Sequence, residues 1–137
     1  MITAADSNVL VDIAANNPMF LETSLAALRR ARREGIVIVS EVVWAEVLTG
    51  YADPRQGLKA LTGLGVRYVA MGVDAANIAA AAWRQFRMGG GTRRERILPD
   101  FLIGAHAVHH AERLLTRDRG VYRAYFPDLE LLDPAAS

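Results

Sequence analysis

Ile36-Val37-Ile38-Val39-Ser40 is the stretch on which the fold turns. Four β-branched residues in a row make a strand with no polar face, and such a strand is buried on both sides, as in a parallel sheet between helical layers. Ser40 then offers its hydroxyl as a helix N-cap. Val43, Trp44, Val47 and Leu48 form the apolar stripe of the helix it opens, which ends at Gly50. On the N-terminal side, Met19 to Arg33 reads as another helix, with Phe20, Leu21, Leu25, Leu28 and Ala31 on one face. Its arginines 29, 30, 32 and 33 gather at the C-terminal end, where the helix dipole favours cations, and Gly35 stops it.

The same alternation continues outward. Ile2 to Ala5 is a short apolar run ending at Asp6, read as a buried strand, and Val9 to Ala15 suggests a brief helix halted near Asn16-Asn17-Pro18. Downstream come a helix over Pro54 to Leu64, a strand over Val66 to Ala70, and a long alanine-rich helix from an Asp74 cap to about Arg87. Gly89-Gly90-Gly91-Thr92 is a flexible loop extended by Arg93-Arg94-Glu95-Arg96, and Pro99-Asp100 opens a helix to about Ala111. Arg113 to Thr116 is a fourth strand ending beside Asp118, and a short helix around Val121-Tyr122 leads into Leu129 to Leu132. Strands alternating with helices imply a three-layer α/β/α fold around a central parallel sheet of four to five strands. Residues 1–137 read as one domain.

Composition narrows the chemistry. With 52% hydrophobic residues and no cysteine, the chain can build a core but holds no disulfide framework, thiolate zinc site or cysteine nucleophile. Met1 to Asp6 has no basic n-region, and no apolar run approaches the roughly 18 residues of a membrane span. The expectation is a soluble cytoplasmic protein. The net charge is only +1, but Lys59 is the single lysine. The arginines could serve as bidentate phosphate binders or reflect arginine-biased codon usage.

In parallel α/β folds, ligands sit beyond the carboxyl ends of the strands. Asp6 directly follows the first strand, and Asp118 lies two residues past Thr116 at the end of the fourth. Asp100 is in the first turn of a helix, and Glu46 lies one and a half turns into the helix after Ile36–Val39. Separately, each has an ordinary explanation as a cap, turn residue or solvated helix position. Together they fall on one sheet edge, where they would repel one another without a bridging cation. Carboxylates without histidine or thiolate are the ligand set for Mg²⁺ or Mn²⁺.

Asp6-Ser7-Asn8-Val9-Leu10, Glu46-Val47-Leu48-Thr49-Gly50, Asp100-Phe101-Leu102-Ile103-Gly104-Ala105-His106-Ala107 and Leu115-Thr116-Arg117-Asp118, in that order, resemble a PIN-domain nuclease. Within that group the set is most similar to VapC-type toxins of type II toxin–antitoxin pairs, over nearly the whole chain. The resemblance implies a PIN-like fold and a Mg²⁺- or Mn²⁺-dependent endoribonuclease that cleaves RNA with a metal-activated water. It also implies a homodimer and a cognate VapB-like antitoxin that blocks the acidic pocket. Asp6, Glu46, Asp100 and Asp118 match the family's acidic quartet, Thr116 its hydroxyl near the metal, and Ser7 or Asn8 the small polar residue after the first acid. Two competing readings are a housekeeping RNA-processing PIN nuclease and a non-catalytic PIN-fold module that binds RNA or protein.

Arg93, Arg94 and Arg96 precede Asp100 and could hold RNA phosphates over the acidic edge, or simply solvate a loop; Arg117, beside Asp118, is grouped with them. His106, His109 and His110 share a helix with zinc-like spacing but no third ligand type, and read as surface or half-buried histidines. The triple glycine has no GK[ST] after it, so it is not a P-loop. Position 8 is Asn where a haloacid-dehalogenase-type phosphatase needs Asp, and Lys59 falls far from the strand ends where a receiver domain needs lysine. Trp44, Trp83 and Phe86 are expected in core or dimer contacts.

Overall fold

The structure, a computed structural model, describes residues 1–90 and 97–136. Its order is β1 (Ile2–Ala5), α1 (Ser7–Ala14), α2 (Leu21–Glu34), β2 (Ile36–Val39), α3 (Glu41–Leu48), α4 (Pro54–Gly63), β3 (Arg67–Tyr68), α5 (Gly72–Met88), α6 (Ile97–His110), β4 (Arg113–Leu115), α7 (Gly120–Tyr125), β5 (Glu130–Leu132) and a closing 3-10 turn, Pro134–Ala136. Among the described residues five strands form one sheet in the order β3-β2-β1-β4-β5. Every pairing is parallel, with Ala4 opposite Ile38 on one side and Leu114 on the other. Helices cover both faces, giving the three-layer α/β/α fold.

The chain winds away from β1 in both directions. Right-handed crossovers therefore put α1 to α4 on one face and α5 to α7 on the other. The β1/β4 junction is the point where the strand order reverses, the place where such sheets open a crevice. β2 fits its composition: Val37, Ile38 and Val39 are all buried. Ser40 caps α3, accepting from the Val43 N–H at 3.4 Å. Gly35 follows α2 where the chain passes hard against the N-terminus, so that a Cβ there would lie 1.8 Å from the Met1 carbonyl oxygen.

Some boundaries differ from the sequence reading, each for a local reason. α2 starts at Leu21 because the Asn17 side chain accepts the N–H groups of Met19 and Phe20 and holds them in a turn. β3 shrinks to two exposed residues, as an edge strand with one neighbour can. Asp74 lies in the first turn of α5 rather than capping it, and α6 begins at Ile97, two residues before Pro99.

Beneath the α5–α6–α7 layer, Trp83, Phe86, Phe101 and Tyr125 form one aromatic cluster with ring centroids 5.3–5.6 Å apart. Trp83 and Phe86 thus belong to the core packing, while Trp44 meets Tyr68 edge-on. His106 is buried rather than on or near the surface: its Nε2 lies 2.7 Å from the Val69 carbonyl, and His110 reaches the Met71 carbonyl in the same way at 2.8 Å. Burial holds the His106 imidazole below the ordinary histidine range. Among the described residues, every buried side-chain polar atom has a partner, and no helix is long and apolar enough to cross a membrane.

Candidate active site

Asp6 is the N-cap of α1, its backbone extended and one carboxylate oxygen accepting the Ser7 N–H at 2.7 Å. Capping alone would leave such a residue exposed. Here β1 ends between two neighbours, the Asp6 N–H donates to the Leu115 carbonyl at 2.9 Å, and the side chain is 2% exposed. A buried carboxylate needs donors. Asp6 Oδ2 has two at 2.9 Å, the hydroxyls of Thr116 and Tyr122, with the Asn8 amide at 3.5 Å.

Thr116 is buried at the end of β4, where its hydroxyl, donating to Asp6, also accepts the Asp118 N–H at 3.0 Å and the Asn8 amide at 3.3 Å. A β-branched hydroxyl at a strand end thus locks the turn that carries Asp118. Asp118 itself is exposed and accepts the Gly120 N–H at 3.1 Å, opening α7. On the opposite side, Ser7 donates its hydroxyl to Glu46 Oε1 at 2.9 Å, linking the first acid to the half-buried second on α3. Ser7 and Asn8 are therefore divided in role, one toward Glu46 and the other toward Thr116.

Tyr122, which the sequence reading left in a short helix without a role, is the missing member. Its ring is fully buried and its hydroxyl points into the acids. Burial raises its pKa most, followed by the nearby charges of Asp6 and Asp100, its hydrogen bond to Asp6 and the charge of Asp118. Asp6 is bonded to this phenol, and the charges of Asp100 on α6 and Asp118 in the β4–α7 turn act on it too, so it remains a proton donor. The signal was faint in sequence, since one tyrosine in an apolar tail is most simply a core residue.

The donor set is oxygen only, as Mg²⁺ or Mn²⁺ requires. As they stand, no three His, Asp or Glu side chains among the described residues are gathered closely enough to hold one ion. A cation bound here would have to draw the acids inward.

The arginines fall differently. Arg93, Arg94 and Arg96 lie outside the described residues. Arg117 turns away from the acids: its guanidinium grips buried Asp12 at 2.6 and 2.9 Å and lies 3.8 Å over the Phe20 ring. Ser24 donates to the same Asp12 at 2.8 Å. Next to Glu46, Val11, Ala14, Ala15, Val47 and Tyr51 line a mostly apolar groove of about 320 Å³ between α1 and α3.

Comparison with known proteins agrees with this fold. The PIN domain family profile matches residues 4–127. Among solved structures, FitAcB from Neisseria gonorrhoeae is similar over 100% of both chains at 23% identity, with a TM-score of 0.71. VapBC2 from Rickettsia felis, bound to a DNA fragment from its promoter, covers 97% of this chain and 98% of its own at 18% identity and a TM-score of 0.74. VapC20 from Mycobacterium tuberculosis, a Sarcin-Ricin loop cleaving toxin, covers 93% and 98% at 13% identity and a TM-score of 0.60. No curated protein matches.

Proposed function

Because the chain belongs to the PIN domain family, we propose that it is a divalent-metal-dependent endoribonuclease acting as the toxin of a VapBC-type pair. One observation carries this reading: a buried Asp6 at the β1/β4 reversal point, held by Thr116 and Tyr122 and joined through Ser7 to Glu46, with Asp100 and Asp118 near the same phenol. A structural N-cap has no use for that many acids. Asp6, Asp100 and Asp118 would hold Mg²⁺ or Mn²⁺, and Glu46 would complete the shell or orient the attacking water. The metal, when bound, would activate that water and offset charge on the phosphate.

The chain's own groups do the rest. Thr116 and Tyr122 donate to Asp6 Oδ2, so the rotamer of the carboxylate is set. Ser7 fixes Glu46 across from it. The toxin assignment draws on neighbours whose structures are toxin–antitoxin complexes. In this reading the apolar groove beside Glu46 receives a segment of a VapB-like antitoxin, whose seating there shuts the acids off from RNA. The protein acts as a homodimer.

Purified protein is expected to cleave RNA in Mg²⁺ or Mn²⁺, with cleavage abolished by EDTA and by Asp6→Asn. Cleavage persisting at the wild-type rate in Asp6→Asn would sink the assignment. Induction in a bacterial host is expected to arrest growth for the wild type and not for Asp6→Asn; cleavage without arrest would favour a processing nuclease over a toxin.

A further inference from the structure

A second charged feature adjoins the acids on the far side of α7. Arg119 and Arg123, one helical turn apart, line a groove of about 270 Å³ along the edge strand β5, together with Arg30 of α2, Arg113 of β4, Glu130 and Asp133. It reaches toward the acids in the chain: Arg119 directly follows Asp118, and the Thr116 N–H donates to the carbonyl of Leu132 at 3.1 Å. α7 therefore presents Tyr122 to the acids and two arginines to the groove.

The four cations are not equally committed. Arg113 is nearly buried, donating to Thr3 and Glu34, and shapes the groove floor. Arg30 and Arg119 make single ion pairs at 3.3 Å to Glu34 and Asp133, and keep 41% and 50% of their side chains exposed. Such exposed pairs are weak, and each guanidinium retains donors for another anion. Arg123 is exposed and has no acidic partner among the described residues.

We infer that this groove binds the phosphate backbone of the RNA strand flanking the scissile bond. A site built of carboxylates repels a polyanion, and an adjoining row of guanidinium groups supplies the opposing attraction. Contacts to phosphate carry no sequence information, so this contribution is independent of sequence. The inference rests on the RNA-cleaving reading of the acids but concerns binding, which can be measured without turnover.

The test is fluorescence anisotropy of labelled single-stranded RNA in EDTA across a salt series, with the RNA checked intact afterwards. Arg123→Ala is expected to weaken binding several-fold, equally for RNAs of unrelated sequence. Its log–log salt slope should be shallower by about 0.7, one phosphate contact on a single strand. Arg123→Lys should retain most of the binding, and Arg55→Glu, altering an exposed arginine on α4, should leave the salt slope unchanged. Wild-type affinity and slope in Arg123→Ala would overturn the groove, as would a loss matched by Arg55→Glu or no RNA binding by the wild type. Metal-supported cleavage by the wild type, assayed separately, reports on the acids whichever way the groove falls.

Discussion

A fully buried phenol that donates to a carboxylate only 2% exposed gives Tyr122 a role beyond filling space. Hydrogen bonds to charged groups contribute about 1.5–3 kcal/mol, and Phe would keep the ring while removing the donor. Tyr122→Phe should therefore lose about 1.5 kcal/mol in urea unfolding, the low end because Asp6 keeps Thr116 and Ser7. It should also lower kcat more than it raises KM, because Asp6 is then less firmly placed. Wild-type kcat in a destabilised variant would reduce Tyr122 to a core residue. His106 makes the pH prediction. Burial depresses its folded pKa below the value near 6.5 that the unfolded chain regains. The folded state then binds fewer protons, so this contribution is present above pH about 6.5 and is lost as pH falls through the folded pKa. Unfolding free energy measured from pH 7.5 down to 5 should fall less steeply in His106→Gln than in the wild type. Parallel profiles would show that His106 is not a source of the acid sensitivity.

At the scale of elements, the β4–α7 turn brings two acid-site residues into place, and one ion pair ties it down. Arg117 sits between Thr116 and Asp118, yet its guanidinium reaches back to Asp12 on α1, the helix that Asp6 caps. The pair thus couples the two segments whose relative position sets the distance between Asp6 and Asp118. Removing one partner of a buried pair costs about 3–5 kcal/mol. Asp12→Ala should lie near 3 kcal/mol by chemical denaturation, since Arg117 keeps 29% of its side chain exposed. A cost under 1 kcal/mol would mean the pair is no tighter than a surface bridge. This is also where the sequence was least legible. Arg117 follows Thr116 in a turn rich in charge, and nothing local says that it points backward to a partner 105 residues away. The strands and helices were readable because each rests on a local pattern, as in the β-branched run at Ile36 or the cap at Ser40. Tyr122 and Arg117 were not, because their partners are set by tertiary packing alone.

For the whole molecule, the deciding feature is the reversal of strand order at β1. It opens the sheet between the ends of β1 and β4 and so gathers onto one rim acids spread from residue 6 to residue 118. That they share an edge follows from parallel strands, whose carboxyl ends all lie on one side, which is why the four acids could be placed there from sequence. Their spacing on that rim could not, and as they stand the carboxylates are wider than one ion requires. Gathering like charges opposes folding, and an ion bound only by the folded state offsets that cost in proportion to its occupancy. At a Mn²⁺ concentration one hundred times its Kd, the linkage amounts to about 2.7 kcal/mol. For a domain between the small and medium size classes this corresponds to a rise in Tm of about 10 °C. Thermal unfolding with and without Mn²⁺ should show that rise for the wild type and a much smaller one for Asp100→Ala. Asp74→Ala, an exposed acid at the start of α5, should respond as the wild type does. Equal shifts in all three proteins would place the ion elsewhere, and no shift in the wild type would leave the rim an acidic edge without a metal.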